Sequence, residues 1–135
     1  MSFHLHPRLA VDTSLIGDLE LCRVLLMNDA RYPWLILVPR RDDLREVHEL
    51  SGADRLALMN ESCHVAETLQ GLFMPDKLNI GVLGNIVPQL HVHHIARFQT
   101  DPAWPGPVWG HSSAQPYPSE MRDRRVAQLR GAFGL

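Results

Sequence analysis

The sequence is poor in cysteine, nearly devoid of lysine and without a long apolar run, and each shortage removes a class of protein. Cys22 and Cys63 are the only cysteines. They are too few and too far apart for a disulfide framework or a CxxC redox or zinc site, and both are expected to be reduced, buried small hydrophobes. No apolar stretch approaches the ~20 residues that a membrane span needs, so no membrane partner is expected. The start, "MSFHLHPRLAVD", lacks a basic segment followed by a long apolar one. No signal peptide is read there, and a cytoplasmic location is expected. Charge of neither sign dominates: 13 basic against 15 acidic residues leaves a formal net charge of −2, which excludes a polycation built to coat nucleic acid. A local basic patch stays open. All the basic residues except Lys77 are arginines, whose planar fork suits phosphate and carboxylate oxygens.

What is present describes an ordinary globular chain. Apolar content of 45% and charged content of 21% are typical, and 135 residues suffice for one domain with a real core but are short for two. Residues 20–28, "ELCRVLLMN", and 34–39, "WLILVP", are short apolar runs separated by the turn-like "DARYP", and read as two adjacent antiparallel strands. Ser51 then precedes "GADRLALMNESCHVAETLQGLF". Asp54 follows three residues on, a weaker form of the capping box, so a helix is expected from here to Phe73. Leu56, Met59, Cys63, Ala66 and Phe73 recur at helical spacing and are expected to face a sheet.

After Pro75 and Asp76, "KLNIGVL" alternates and breaks at Gly84-Asn85, and "QLHVHHIARF" alternates again, suggesting a hairpin-like pair of strands. Five of the ten prolines fall between Pro102 and Pro118, which excludes regular structure there. An Arg-rich segment from Ser119 to Phe133 reads as a final short helix. The order strands, helix, strands, loop, helix makes an α+β domain with an antiparallel sheet.

The densest chemistry lies in "PQLHVHHIAR", Pro88 to Arg97. Alternation along a strand would send Gln89, His91 and His93 to one face and Leu90, Val92 and His94 to the other. An imidazole titrates near pH 6.5, so one of the pair His91 and His93 can be a neutral nucleophile while its neighbour is protonated and donating. That suits attack on phosphorus with stabilisation of the developing charge. Two other readings stay open. Histidines on a strand can simply be solvated, and an HxH pair can ligate a metal. A metal site needs a third and usually a fourth donor, however, and only the isolated His111 follows.

"NIVPQLHVHHIARF" resembles the motif of the histidine triad superfamily, in which histidines and apolar residues alternate on the last strand of a sheet. "MNDARYPWLILVPRR" and the helix followed by "LNIGVLGN" are similar to that family's hairpin and approach to the motif, so the resemblance covers roughly residues 15–100. It implies a single HIT-like domain over residues 1–135: about five antiparallel strands, a long helix, and a Pro-rich segment with a C-terminal helix at 101–135. By position, the resemblance makes His91 the nucleophile and His93 a contact to the transferred phosphate. Gln89 stands where the first histidine of the triad is usual. It can hydrogen-bond but cannot exchange a proton near neutral pH, and is expected to orient the phosphate or leaving group. Trp34 falls where an upstream histidine is common, to pack on the nucleotide or fill that histidine's space; a core aromatic is the alternative.

Asn28 is implied as a ribose contact, Asn79 and Asn85 as polar positions around the phosphates, and the Gly84 loop as a source of backbone N–H groups. Arg40, Arg41 and Arg97 could face phosphate, although solvated surface arginine is the default for each. The implied activity is hydrolysis or transfer at the α-phosphate of a nucleotide conjugate, such as a dinucleoside polyphosphate or nucleoside phosphoramidate, through a nucleotidyl-His91 intermediate and with no metal or cofactor. A nucleotide-binding adaptor with little turnover is the alternative. The resemblance also implies a homodimer in which two five-stranded sheets join. "DPAWPGPVWG" is either a docking strip for the partner or a tail folded over its own domain.

Overall fold

A computed structural model describes residues 3–135. A six-residue helix, α1 (Pro7–Asp12), leads into β1 (Thr13–Asp18), β2 (Cys22–Met27) and β3 (Trp34–Pro39), which pair antiparallel in sequence order. One 3-10 turn (Val47–Glu49) and the long helix α2 (Gly52–Phe73) follow, then β4 (Lys77–Gly81), β5 (Val92–Arg97) and α3 (Ser119–Phe133). Strand β5 inserts between β3 and β4, giving a five-stranded antiparallel sheet in the order β1-β2-β3-β5-β4. Among the described residues, no helix is long and apolar enough to cross a membrane.

The sheet is covered on both faces, which is why "WLILVP" reads as an unbroken apolar run. Val24, Leu26, Leu35, Leu37 and Val92 pack with Leu58, Val65 and Leu69 of α2 and with Leu129 of α3. The alternate residues Leu25, Trp34, Ile36, Val38 and Ile95 pack instead with Leu9 of α1 and with Ala103 and Val108. The Pro-rich segment therefore lies over its own domain, the second of the two readings left open for "DPAWPGPVWG". Residues 102–118 contain no helix or strand. They are tied down by Ala30 N–H donating to the Gln115 carbonyl, Tyr117 N–H donating to Asn28 Oδ1, and the buried Arg97 guanidinium donating to the Gly106 carbonyl.

Helix α2 has the expected limits, and Ser51 Oγ accepts from Asp54 N–H at its start. Its buried face does not match the expectation. Leu58, Ser62, Val65 and Leu69 face inward, while Leu56 and Met59 are 64% and 62% exposed and Cys63 is exposed too. Two stripes of helical period compete along this sequence, and the inward one is interrupted by a polar residue. Ser62 sits there because buried His94 from β5 needs a partner: Ser62 Oγ lies 2.7 Å from His94 Nε2.

Candidate active site

Strand β5 begins at Val92, three residues later than the alternating pattern suggests. Before it, Leu90 N–H donates to the Leu44 carbonyl rather than to a neighbouring strand. The ladder is what enforces alternation, so Gln89 is free to leave the row. Its side-chain Oε1 accepts from His6 N–H at 2.8 Å and its Nε2 donates to the His4 carbonyl at 2.9 Å. Gln89 thus fastens the N-terminal segment, and its side chain lies outside the cavity that His91 and His93 line.

That cavity has a volume of about 390 Å³. Its floor is the sheet face carrying Trp34, Ile36 and His93, with His91 immediately before β5; Arg8, Leu9 and Asp12 of α1 wall one part. The Gly84-Asn85 loop and Val87 wall another, and Val108, Trp109, Ser112 and Ala114 of the Pro-rich segment a third. Asp29 and Arg31, from the turn between β2 and β3, complete it.

The two histidines are fixed by different partners. His91 Nδ1 lies 2.6 Å from the Gln89 carbonyl oxygen, which can only accept, so Nδ1 carries the proton and Nε2 keeps its lone pair. Gln89 therefore positions His91 through its backbone. His93 Nδ1 is 3.0 Å from Trp34 Nε1. An indole N–H only donates, so His93 Nδ1 is unprotonated and Nε2 bears the hydrogen. The rings of His91 and His93 are 4.9 Å apart, edge to face, and Trp34 and Trp109 flank His93 at 5.7 and 5.3 Å. Burial, with His91 and His94 adding like-charge repulsion, pushes the His93 pKa down to about 3. His93 is therefore a neutral donor rather than the protonated neighbour expected from the pair.

His94 points to the opposite face, Nδ1 toward the Val92 carbonyl and Nε2 toward Ser62. Burial lowers its pKa to about 4. Among the described residues no group of three or more histidine, cysteine or acidic side chains could hold a metal ion.

Of the anticipated site residues, the fold brings His91, His93, Trp34, Gly84 and Asn85 to one cavity. Asn28 and Asn79 are used elsewhere: Asn28 Oδ1 accepts from Tyr117 N–H, and Asn79 Oδ1 accepts from Arg97 Nη1–H. Neither lines the cavity. Both amides serve buried donors, one in the Pro-rich segment 102–118, a strap over the sheet, and one in Arg97, which anchors that strap through the Gly106 carbonyl. A residue's place in the sequence does not reveal such a demand. Arg97 is no surface arginine, since it is 1% exposed and bound to Asp101 through two hydrogen bonds. Arg40 donates to the Leu19 and Glu20 carbonyls, and Arg41 pairs with Asp54.

Among the lining residues, sequence reasoning missed Arg8, Leu9, Asp12, Asp29 and Arg31, together with Val108, Trp109, Ser112 and Ala114 of the Pro-rich segment. Proline at the first position of α1 and the His6 side chain accepting from Arg8 N–H mark that helix start, but six residues show no helical period. Asp29 and Arg31 form a part-buried pair at 2.9 Å, and Arg31 also donates to Ser112 Oγ, joining the β2–β3 turn to the strap.

Comparison with known proteins agrees with this fold. The family model described as the HIT domain matches residues 8–100. A histidine triad protein from Marinobacter aquaeolei VT8 shares 49% identity over 98% of this chain and 96% of its own, with a TM-score of 0.95. A histidine triad (HIT) protein from Sinorhizobium meliloti 1021 shares 50% identity over 97% of each chain, with a TM-score of 0.94. A hypothetical histidine triad nucleotide-binding protein from Sulfolobus tokodaii strain7 is similar in fold alone, at 16% identity, 90% and 84% coverage and a TM-score of 0.66. A comparison with curated proteins finds no match.

Proposed function

Because the chain belongs to the HIT family, whose superfamily role is nucleotide binding with hydrolase or transferase chemistry, we propose that it cleaves nucleotide conjugates at the α-phosphate through a covalent nucleotidyl-His91 intermediate. The observation that carries this reading is the opposed pair of ring nitrogens: a lone pair on His91 Nε2 and a hydrogen on His93 Nε2, side by side in one cavity. His91 Nε2 forms a bond to phosphorus as the bond from phosphorus to the leaving group breaks, and the electron pair departs with the leaving group. His91 Nδ1 keeps its proton on the Gln89 carbonyl, which stabilises the positive charge on the modified ring. His93 Nε2–H and backbone N–H groups of the Gly84 loop hold the equatorial oxygens. Water then attacks phosphorus, the P–N bond breaks with its electron pair returning to Nε2, and the water's proton passes to solvent. The products are a nucleoside monophosphate and a free enzyme; another nucleophile in place of water gives transfer.

The base and ribose fit the apolar part of the cavity, between Leu9, Ile36, Val108 and Trp109. Incubation with an α-phosphate-labelled conjugate, followed by denaturation, tests the reading. Acid-labile label on the wild-type chain that His91→Ala abolishes is the expected result. Tight binding with neither label nor product would replace it with a nucleotide-binding adaptor.

We also propose a homodimer in which the open edge of β4 meets its copy, supported by the exposure of Ile80 on that edge strand and of Leu56 and Met59 on α2. Light scattering is expected to give twice the chain's mass, reduced to one by Ile80→Glu.

A further inference from the structure

We propose that Trp34 is a positioning residue that holds His93 as an uncharged donor, and that it thereby restricts this site to conjugates whose leaving group departs as a stable anion, such as a phosphate or a carboxylate, rather than as an amine. The proposal rests on the hydrolase reading above and narrows its substrate class.

An amine leaves a phosphoramidate only when something protonates its nitrogen; a phosphate or carboxylate leaves without help. The cavity has few groups to supply that proton. His91 is the nucleophile, and its one hydrogen is held by the Gln89 carbonyl. His93 could give up its Nε2 hydrogen easily only as an imidazolium, which requires a second proton on Nδ1. Trp34 Nε1–H occupies that nitrogen at 3.0 Å, and burial opposes the charged ring further.

The groups facing His93 do not alter this. Trp34 of β3 and Trp109 of the strap do not titrate, and His94 is turned to the other face. On the cavity wall Arg8 pairs with Asp12 of α1, and Arg31 with Asp29 of the β2–β3 turn. Arginines hold their protons at neutral pH, and the carboxylate oxygens of Asp12 and Asp29 accept from them. Gln89 is turned away toward His4 and His6. His111, exposed and outside the lining, reaches the cavity only through Ser112 Oγ, 2.9 Å from its Nδ1.

The test compares kcat/KM for an acid anhydride and an alkyl phosphoramidate carrying the same nucleoside, with the ring nitrogens of His93 followed by NMR. A positioned acid contributes about 10²–10⁴ in rate, so the wild type is expected to favour the anhydride by about a hundredfold or more. Its His93 spectrum is expected to show Nε2–H, an unprotonated Nδ1 and no titration from pH 8 to 5. In Trp34→Phe, Nδ1 becomes free to take a proton beside the anionic phosphate. The single-tautomer spectrum is lost, and the preference for the anhydride falls about tenfold. His111→Ala is expected to change neither rate. The proposal is overturned if the wild type cleaves the phosphoramidate within about tenfold of the anhydride, if His93 carries its proton on Nδ1, or if His111→Ala alone removes amine turnover. Both decisive measurements on His93 tautomer and substrate preference use the wild-type chain, so they hold even where Trp34→Phe fails to fold. Failure of both substrates with His93 in the Nε2–H form overturns the hydrolase reading and the substrate claim together, while the pairing of Trp34 with His93 stands.

Discussion

Replacing Arg97 with methionine probes the anchor on which the cavity's third wall depends. The guanidinium donates to both carboxylate oxygens of Asp101, at 2.8 and 3.0 Å, to Asn79 Oδ1 and to the Gly106 carbonyl. It lies about 5.8 Å from the rings of Tyr32 and Trp104. The Asp101 side chain is only 3% exposed, so Arg97→Met leaves a buried carboxylate without its counter-charge. Breaking such a pair from one side costs about 3–5 kcal/mol. An unfolding entropy of roughly 2.1 cal/mol/K per residue over 135 residues is about 0.28 kcal/mol/K. The expected fall in Tm at pH 7 is therefore about 10–18 °C.

The pH dependence carries a second signature. Burial alone would raise the Asp101 carboxyl, but Arg97 and the N–H groups of Phe98 and Trp104 outweigh it and hold the pKa below the ordinary value. In the wild type this contribution is present above the unfolded pKa of about 3.9 and is lost as pH falls through the folded value. Without Arg97, burial dominates and the carboxyl rises, so the variant regains stability relative to wild type as pH drops toward 4. Urea titrations followed by circular dichroism at pH 7, 5 and 4 measure both effects. The neutral pair Arg97→Met with Asp101→Asn should be less damaged than additivity predicts, by about 1–3 kcal/mol. A single variant costing under about 1 kcal/mol, or a fully additive double variant, would refute the reasoning.

Other changes separate chemistry from support. Gln89→Ala removes the bonds to His6 N–H and the His4 carbonyl and is expected to cost about 1–2 kcal/mol in stability. Because the carbonyl that holds His91 remains, the turnover rate of Gln89→Ala should stay within about threefold of wild type; a loss of about a hundredfold would return Gln89 to the reaction. Gly81→Ala places a methyl 2.8 Å from Trp109 Cη2, so the indole must shift. Stability should fall by about 1–3 kcal/mol, with altered tryptophan emission and weaker binding of a nucleoside monophosphate; unchanged emission would count against that packing. His94 takes up a proton near pH 6.5 when unfolded but only near 4 when folded. It therefore removes about 1.4 kcal/mol of stability per pH unit as pH falls between those values. His93, whose folded pKa is about 3, adds a slope of the same sign over that range. Replacing Ser62 by Ala and His94 by Leu together should therefore roughly halve the combined slope, and an unaltered slope would exclude His94 as a source.

The sequence made the fold legible wherever a pattern was long or sharply bounded. Helix α2 starts at the Ser51 cap, α3 occupies Ser119–Phe133, and the motif strand lies beside the first hairpin. Strand β1 was missed because "TSLIGD" has a bulge between Leu15 and Gly17 that interrupts its alternation. At the site, His91 and His93 were visible because strand position and identity together marked them. The directions of Gln89, Asn28 and Asn79 were not, since each is set by a distant backbone or guanidinium group awaiting a partner. Trp34 was placed by position, but its bond to His93 spans 59 residues and arises only because Trp34 pairs with Ile95 across the β3–β5 ladder.

The strap carries one more consequence. The HIT domain match stops at residue 100, yet Val108, Trp109, Ser112 and Ala114 wall the cavity. A protein cut at the end of the recognisable domain would keep both histidines, Trp34 and the whole sheet while losing the enclosure that gives a nucleoside somewhere to sit. Family membership can thus be read from a fragment that is smaller than the functional unit.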